Sequence, residues 1–147
     1  MNLQTDPREK LSKKYLAARQ FIRTVDASCR EAGIEPRQYE LLVVVSEWSG
    51  SKPPTVRKIS EKLAIRHNTT VELIDRTEAR GAITRTRDAA DRRQVFIEIT
   101  PAGEQIVALV AERIQDAAQE LNGAASERDE THDATAAPTE TGVAMSA

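Results

Sequence analysis

Arg92 and Arg93 close a run of small and charged residues, Asp88-Ala-Ala-Asp-Arg-Arg93, set between two stretches that alternate as strands do. Guanidinium groups at a sharp turn can neutralise phosphates or enter a narrow groove, and arginine keeps its charge in either setting. Upstream, His67-Asn68-Thr69-Thr70 gathers a second set of polar side chains. An Asn amide can read adenine through two bonds, and a Thr methyl can meet that of thymine. Acid–base or metal chemistry has no comparable cluster. The chain holds two His and one Cys, with no phosphate-cradling Gly loop and no metal-ligand spacing. No enzyme activity, metal or cofactor is expected; the partner these residues suit is double-stranded DNA.

The elements that carry these groups follow from periodicity. In VRKISEKLAIR, Val56, Ile59 and Leu63 recur at helical spacing, so a short helix ends near Ala64. HNTTVELIDRTEARG follows. Asn68 or Thr69 can cap its start, Thr69 with Glu72 fits a capping box, and Gly81 stops it. Val71, Ile74 and Thr77, with Leu73 beside them, are predicted to be its buried face. Two short helices with a tight joint make a helix-turn-helix, whose second helix enters the major groove. Ile83 and the alternating Thr84 to Arg87 then pair with Val95, Ile97 and Ile99. The Asp88–Arg93 run becomes the tip of a β-hairpin, a wing.

Longer helices should flank this unit. Asp6-Pro7-Arg8-Glu9 has the order of a helix start, and Gly33 ends the helix after about Ala32. Leu11, Tyr15, Ala18, Ile22, Val25, Cys29 and Ala32 form a stripe with the spacing of a coiled-coil seam. It is longer than a small winged unit needs, which favours a subunit interface over packing within one subunit. A second helix opens at Pro36 and runs to about Trp48, with Leu41 to Val45 as a buried centre. Gly50 to Pro54 is a linker. Thr100-Pro101 begins one last helix, to about residue 122, whose stripe includes Ile106, Val107, Val110, Ile114 and Leu121. The expected dimerisation set is Leu11, Tyr15, Ile22, Val25, Ile106, Val110, Ile114 and Leu121. From Ala124 the composition turns to Ala, Thr, Ser, Glu and Pro, and residues 124–147 are expected to be a disordered acidic tail.

Composition agrees with one small domain. At 147 residues, 39% hydrophobic and 3% aromatic, the core must be modest and mostly aliphatic. The net charge of −2 conceals an asymmetry: from Arg57 to Arg93 there are ten Lys/Arg against six Asp/Glu. No signal peptide, lipidation motif or long apolar run is present, and one Cys forms no internal disulfide. A cytoplasmic setting without membrane contact is expected.

Val71–Gly81, Asp88–Arg93 and Ile99-Thr-Pro-Ala-Gly103, in that order and at these spacings, resemble the multiple-antibiotic-resistance regulator (MarR) family of winged-helix transcription factors, over roughly residues 8 to 121. The resemblance implies a mainly α fold, a winged helix-turn-helix with a two-stranded wing and flanking dimerisation helices. Residues 1–123 would form the domain, with the DNA-reading unit at about 55–100 and dimerisation helices at about 7–33 and 101–122. It implies a homodimeric repressor on a pseudo-palindromic operator, of a kind often released by a small ligand or an oxidant. There are two departures. Family members commonly carry further helical sequence where one last helix is expected here. Thr77 and Ala82 stand where Leu is usual, each giving up burial worth about 1–3 kcal/mol.

On this reading DNA is met by Arg57 and Lys58 early in the first short helix. His67, Asn68, Thr69 and Thr70 meet it at the leading end of the second, with Arg76 further along. Arg85 and Arg87 on the wing strand and Arg92 and Arg93 at its tip complete the set. Asp91 and Asp88 are expected to shape the wing by pairing with an arginine. Glu72 favours the positive end of the helix dipole. Trp48 reads as core. Cys29 reads as a small buried hydrophobe; a thiol-based redox sensor is the minor alternative, since sensing cysteines in relatives lie near the start of the first helix. The other function class is a winged-helix module for protein contact or non-specific DNA architecture.

Overall fold

The computed structural model describes residues 6–126. In chain order they form α1 (Pro7–Glu31), α2 (Pro36–Ser46), α3 (Val56–Leu63), α4 (His67–Ala79), β1 (Ile83–Arg87), β2 (Val95–Ile99), α5 (Pro101–Arg113) and α6 (Gln115–Ser126). This is the mainly helical winged architecture expected. Local chemistry explains most boundaries. Asp6, Thr55 and Thr100 each accept a first-turn amide, from Arg8, Lys58 and Gly103 respectively. Gly33 and Gly81 take φ of +79° and +75° just past α1 and α4, a region where a Cβ would be strained.

α2 is the centre-piece, in contact with α1, α3, α4, α5 and β2. Leu41 and Leu42 on it, with Ile59, Ile74, Ile83, Ile97 and Val110 from the surrounding elements, are fully or almost fully buried. Thr77 and Ala82 are buried there too; the Thr77 hydroxyl donates to the Leu73 carbonyl at 2.7 Å, so its burial leaves no orphan proton. The wing is antiparallel, pairing Ile83 with Ile99, Arg85 with Ile97 and Arg87 with Val95. At its root the Ile97 amide donates to the Pro54 carbonyl at 2.9 Å, so the linker before α3 fastens the hairpin to the body.

Three expectations change. First, α4 begins at His67, with Arg66 in the cap position and no side-chain cap, so neither Asn68 nor Thr69 caps. The left-handed turn at Ala64 brings the chain into helix early. Thr70, Leu73, Ile74 and Thr77 become the buried face, in place of the face begun at Val71. Second, the last helix breaks at Ile114. α5 packs on α2 and β2, with some contact to α1, while α6 packs mainly on α1, so the two halves of the stretch take different neighbours. A second C-terminal helix is therefore present, and it passes through Gly123 to Ser126. Third, residues 124–126 continue α6; the rest of the expected tail, 127–147, lies outside the described residues.

Candidate nucleic-acid interface

The exposed leading end of α4 presents His67, Asn68 and Thr69, whose side chains make no hydrogen bond or ion pair among the described residues. Thr70 is withdrawn from this surface. It is fully buried, its oxygen 2.7 Å from Ser60 Oγ, and it donates to the Arg66 carbonyl at 3.0 Å. With its single proton spent on Arg66, Thr70 must accept from Ser60. It is a joint between α3 and α4, and the DNA contact expected of it is not available.

The wing tip is shaped by two carboxylates acting on backbone. Asp88 Oδ1 accepts the Ala90 amide at 2.9 Å and Asp91 Oδ1 the Arg93 amide at 3.0 Å. Among the described residues neither makes the pairing with arginine expected of both; Asp88 meets Lys52 instead, at 3.1 Å. The Ala90 amide first, and Lys52 second, hold the Asp88 carboxyl below its ordinary range. Lys52 Nζ also stands 5.9 Å from the centre of the Phe96 ring. Arg87 Nη1 donates across the hairpin to the Arg92 carbonyl at 2.9 Å. Arg92 and Arg93 are left exposed, with no side-chain partner among the described residues.

Other expected contacts are engaged within the chain. Arg85 is half-buried and ion-paired to both Asp75 and Glu78. Burial works against its charge, but hydrogen bonds to the two carboxylates outweigh it and raise the pKa further. A side chain held in this way is not a free phosphate contact. Arg76 pairs with Glu35 at 3.4 Å, and Arg80 donates to the Gly33 carbonyl, so the far half of α4 is tied to the turn between α1 and α2. Arg57 pairs with Glu61 at 3.2 Å, while Lys58 is exposed and has no ion pair among the described residues. Arg66, directly before α4, is exposed with no side-chain partner among the described residues, and it was not among the expected contacts. A helix start placed two residues earlier would have pointed to it.

The apolar stripes divide. Leu11, Tyr15, Leu16 and Ile22 of α1 are 68%, 63%, 66% and 54% exposed, and Leu109 of α5 is 41% exposed. Leu16 and Leu109 fall off the stripes traced in the sequence. Val110, expected at the interface, is fully buried within the chain's own core, and Val25, Ile106 and Ile114 pack partly against the same core. Leu121 is half-buried. Between α1 and α2 lies a cleft of about 860 Å³ lined largely by Phe21, Ile22, Val25, Tyr39, Val43, Val44 and Ile114, with Arg30, Glu35 and Arg37 among its polar residues. Cys29 is buried, and burial first, Asp26 second, push its thiol up, which disfavours the thiolate that a sensor needs. Trp48, expected as core, is half-buried with its Nε1 unpartnered. Among the described residues no helix is long and apolar enough to cross a membrane.

Residues 32–94 match the model of the MarR family. An uncharacterized HTH-type transcriptional regulator of Bacillus subtilis (strain 168), YsmB, is 37% identical over 62 residues, 42% of either chain. The chain spans less than two thirds of the length of the curated relatives it matches. Among solved structures, the transcriptional regulator Tm0710 of Thermotoga maritima superposes with a TM-score of 0.64 at 28% identity, over 81% of this chain and 80% of that one. The DNA complex of S. aureus MepR superposes with a TM-score of 0.65 at 21% identity, over 79% and 84% of the two chains.

Proposed function

We propose that the chain, whose residues 32–94 match the MarR family model, is a MarR-family transcriptional regulator that binds double-stranded DNA sequence-specifically through α4 and the wing. The observation that carries this reading is the pairing of two unspent surfaces. His67, Asn68 and Thr69 lead α4 into solvent, and Arg92 and Arg93 extend the wing, while Arg57, Arg76 and Arg85 are held in ion pairs. A helix whose leading residues reach base edges, with a basic ribbon on the backbone or minor groove, is a complete reading device.

The regulator acts as a homodimer, with Leu11, Tyr15, Leu16 and Ile22 of α1 meeting their copies around a two-fold axis. Its operator is then a pseudo-palindrome with half-sites about one helical turn, roughly 10 bp, apart, and occupancy represses transcription. A small, mainly apolar molecule entering the cleft between α1 and α2 releases it; the Glu35–Arg76 ion pair connects that cleft to α4. Footprinting on the DNA upstream of its own gene tests the proposal. Protection of two half-sites with dyad symmetry supports it. An asymmetric footprint, or equal affinity for random duplex, refutes it and favours a protein-contact or architectural module.

A further inference from the structure

Ile83, Arg85 and Arg87 share one face of β1, and burial of Ile83 turns that face toward the helical body. Arg85 therefore lies over α4, where Asp75 and Glu78 stand three residues apart on one side of the helix. Its guanidinium takes both: Nη1 donates to Glu78 Oε1 at 2.7 Å and Nη2 to Asp75 Oδ1 at 2.5 Å. The second Glu78 oxygen accepts the Arg85 backbone amide at 3.1 Å. That amide is spare, since Ile97 opposite directs its own amide away from β1, to Pro54. One wing residue is thus fixed to α4 by main chain and side chain together.

We propose that Arg85 is a positioning residue for DNA binding, which touches no DNA and sets the angle between wing and α4. The inference rests on the DNA-binding reading above. A two-stranded ribbon is marginal by itself, and beyond its buried root the wing is free to twist, so two elements that must meet DNA together need a joint between them. Ile83, Phe96 and Ile97 seat the root of the wing in the body by apolar packing, but among the described residues its other ion pair to the body, Lys52 to Asp88, involves a largely exposed lysine. Lysine cannot take the place of Arg85, because a single ammonium does not present the planar fork that spans two carboxylates. Without the guanidinium, both acids would also face a polyanion uncompensated.

The test uses the full chain, its footprinted duplex and a random duplex, with Arg85→Gln, Arg85→Lys and, from the other side of the joint, Glu78→Gln; thermal unfolding is followed in each. Arg85→Gln and Arg85→Lys should both weaken binding to both duplexes about tenfold, and removing Arg92 and Arg93 should then cost little more, because the sites are coupled. Amide exchange across residues 88–94 should quicken in all three variants without DNA. Should Arg85→Gln fail to fold, Glu78→Gln carries the same comparison. Wild-type binding by Arg85→Lys, with the loss in Arg85→Gln simply adding to that of Arg92 and Arg93, would make Arg85 a phosphate contact and overturn the proposal, as would unchanged affinity. If the wild type binds no duplex, the DNA reading falls alone; the joint is then judged by exchange, and unaltered wing protection in Arg85→Gln overturns it.

Discussion

Replacing Thr70 by Val keeps the shape of a buried side chain and removes one hydroxyl from a three-membered chain, Ser60 to Thr70 to the Arg66 carbonyl. A net hydrogen bond contributes about 1 kcal/mol, and a donor left without a partner costs more. Ser60 is only half-buried and can recover water, so the loss should be about 1–2 kcal/mol, or very roughly 3–8 °C in Tm. Ser60→Ala in the Thr70→Val background should then cost almost nothing, leaving a coupling of about 1 kcal/mol between the two sites. Urea unfolding of the four proteins at one fixed concentration measures this. Binding to specific and random duplex should change by the same factor, since Thr70 reads no base. The reasoning is refuted if Thr70→Val leaves stability untouched yet weakens only the specific site.

Gly103→Ala should destabilise the fold although alanine is the better helix former. Its Cβ would lie 2.2 Å from the Ala82 carbonyl oxygen and 2.7 Å from Ile99 Cγ1, and moving backbone apart there costs roughly 2–3 kcal/mol in thermal or urea unfolding. Leu16→Asp, on the open part of α1, should leave a folded monomer that no longer binds the operator; sedimentation of the wild type as a monomer at micromolar concentration would contradict the dimer. Asp88 has its folded pKa below the unfolded one, so its stabilisation is complete above the ordinary Asp range of about 3.9 and is lost as pH falls through the folded value. Wild type and Asp88→Asn should therefore differ in wing amide protection at neutral pH and converge in acid.

Boundaries were legible wherever a cap, a proline or a positive-φ glycine marks them, as at Asp6-Pro7, Gly33, Thr100-Pro101 and Gly81. The start of α4 carries no such mark, and Asn68 and Thr69 are good cap residues that do not cap. A shift of one residue turns a helix face by about 100°, which exchanges Val71 for Thr70 on the buried side. The break at Ile114 has neither Pro nor Gly to mark it; α5 meets α2 and β2 while α6 meets α1, tertiary contacts that no local window contains. Periodicity also marks an apolar face without saying what covers it. Val110 and Cys29 went to the chain's own core, and Leu11 and Tyr15 remained open. For Arg85 a signal existed. Inward Ile83 two positions before it, and Asp75 with Glu78 one helical turn apart, foretell an arginine that turns to the helix.

The placement of the wing and α4 on DNA is the central claim, and the salt dependence of binding tests it most directly. The affinity of the wild type and of the Arg92→Ala/Arg93→Ala variant is measured on the operator and on random duplex over a range of salt. If both side chains neutralise phosphates, the variant loses affinity on the two duplexes by a similar factor, and the slope of log K against log salt flattens by about 0.9 for each phosphate no longer neutralised. If affinity and slope are unchanged on both duplexes, the wing does not meet DNA, and the account is wrong at its centre.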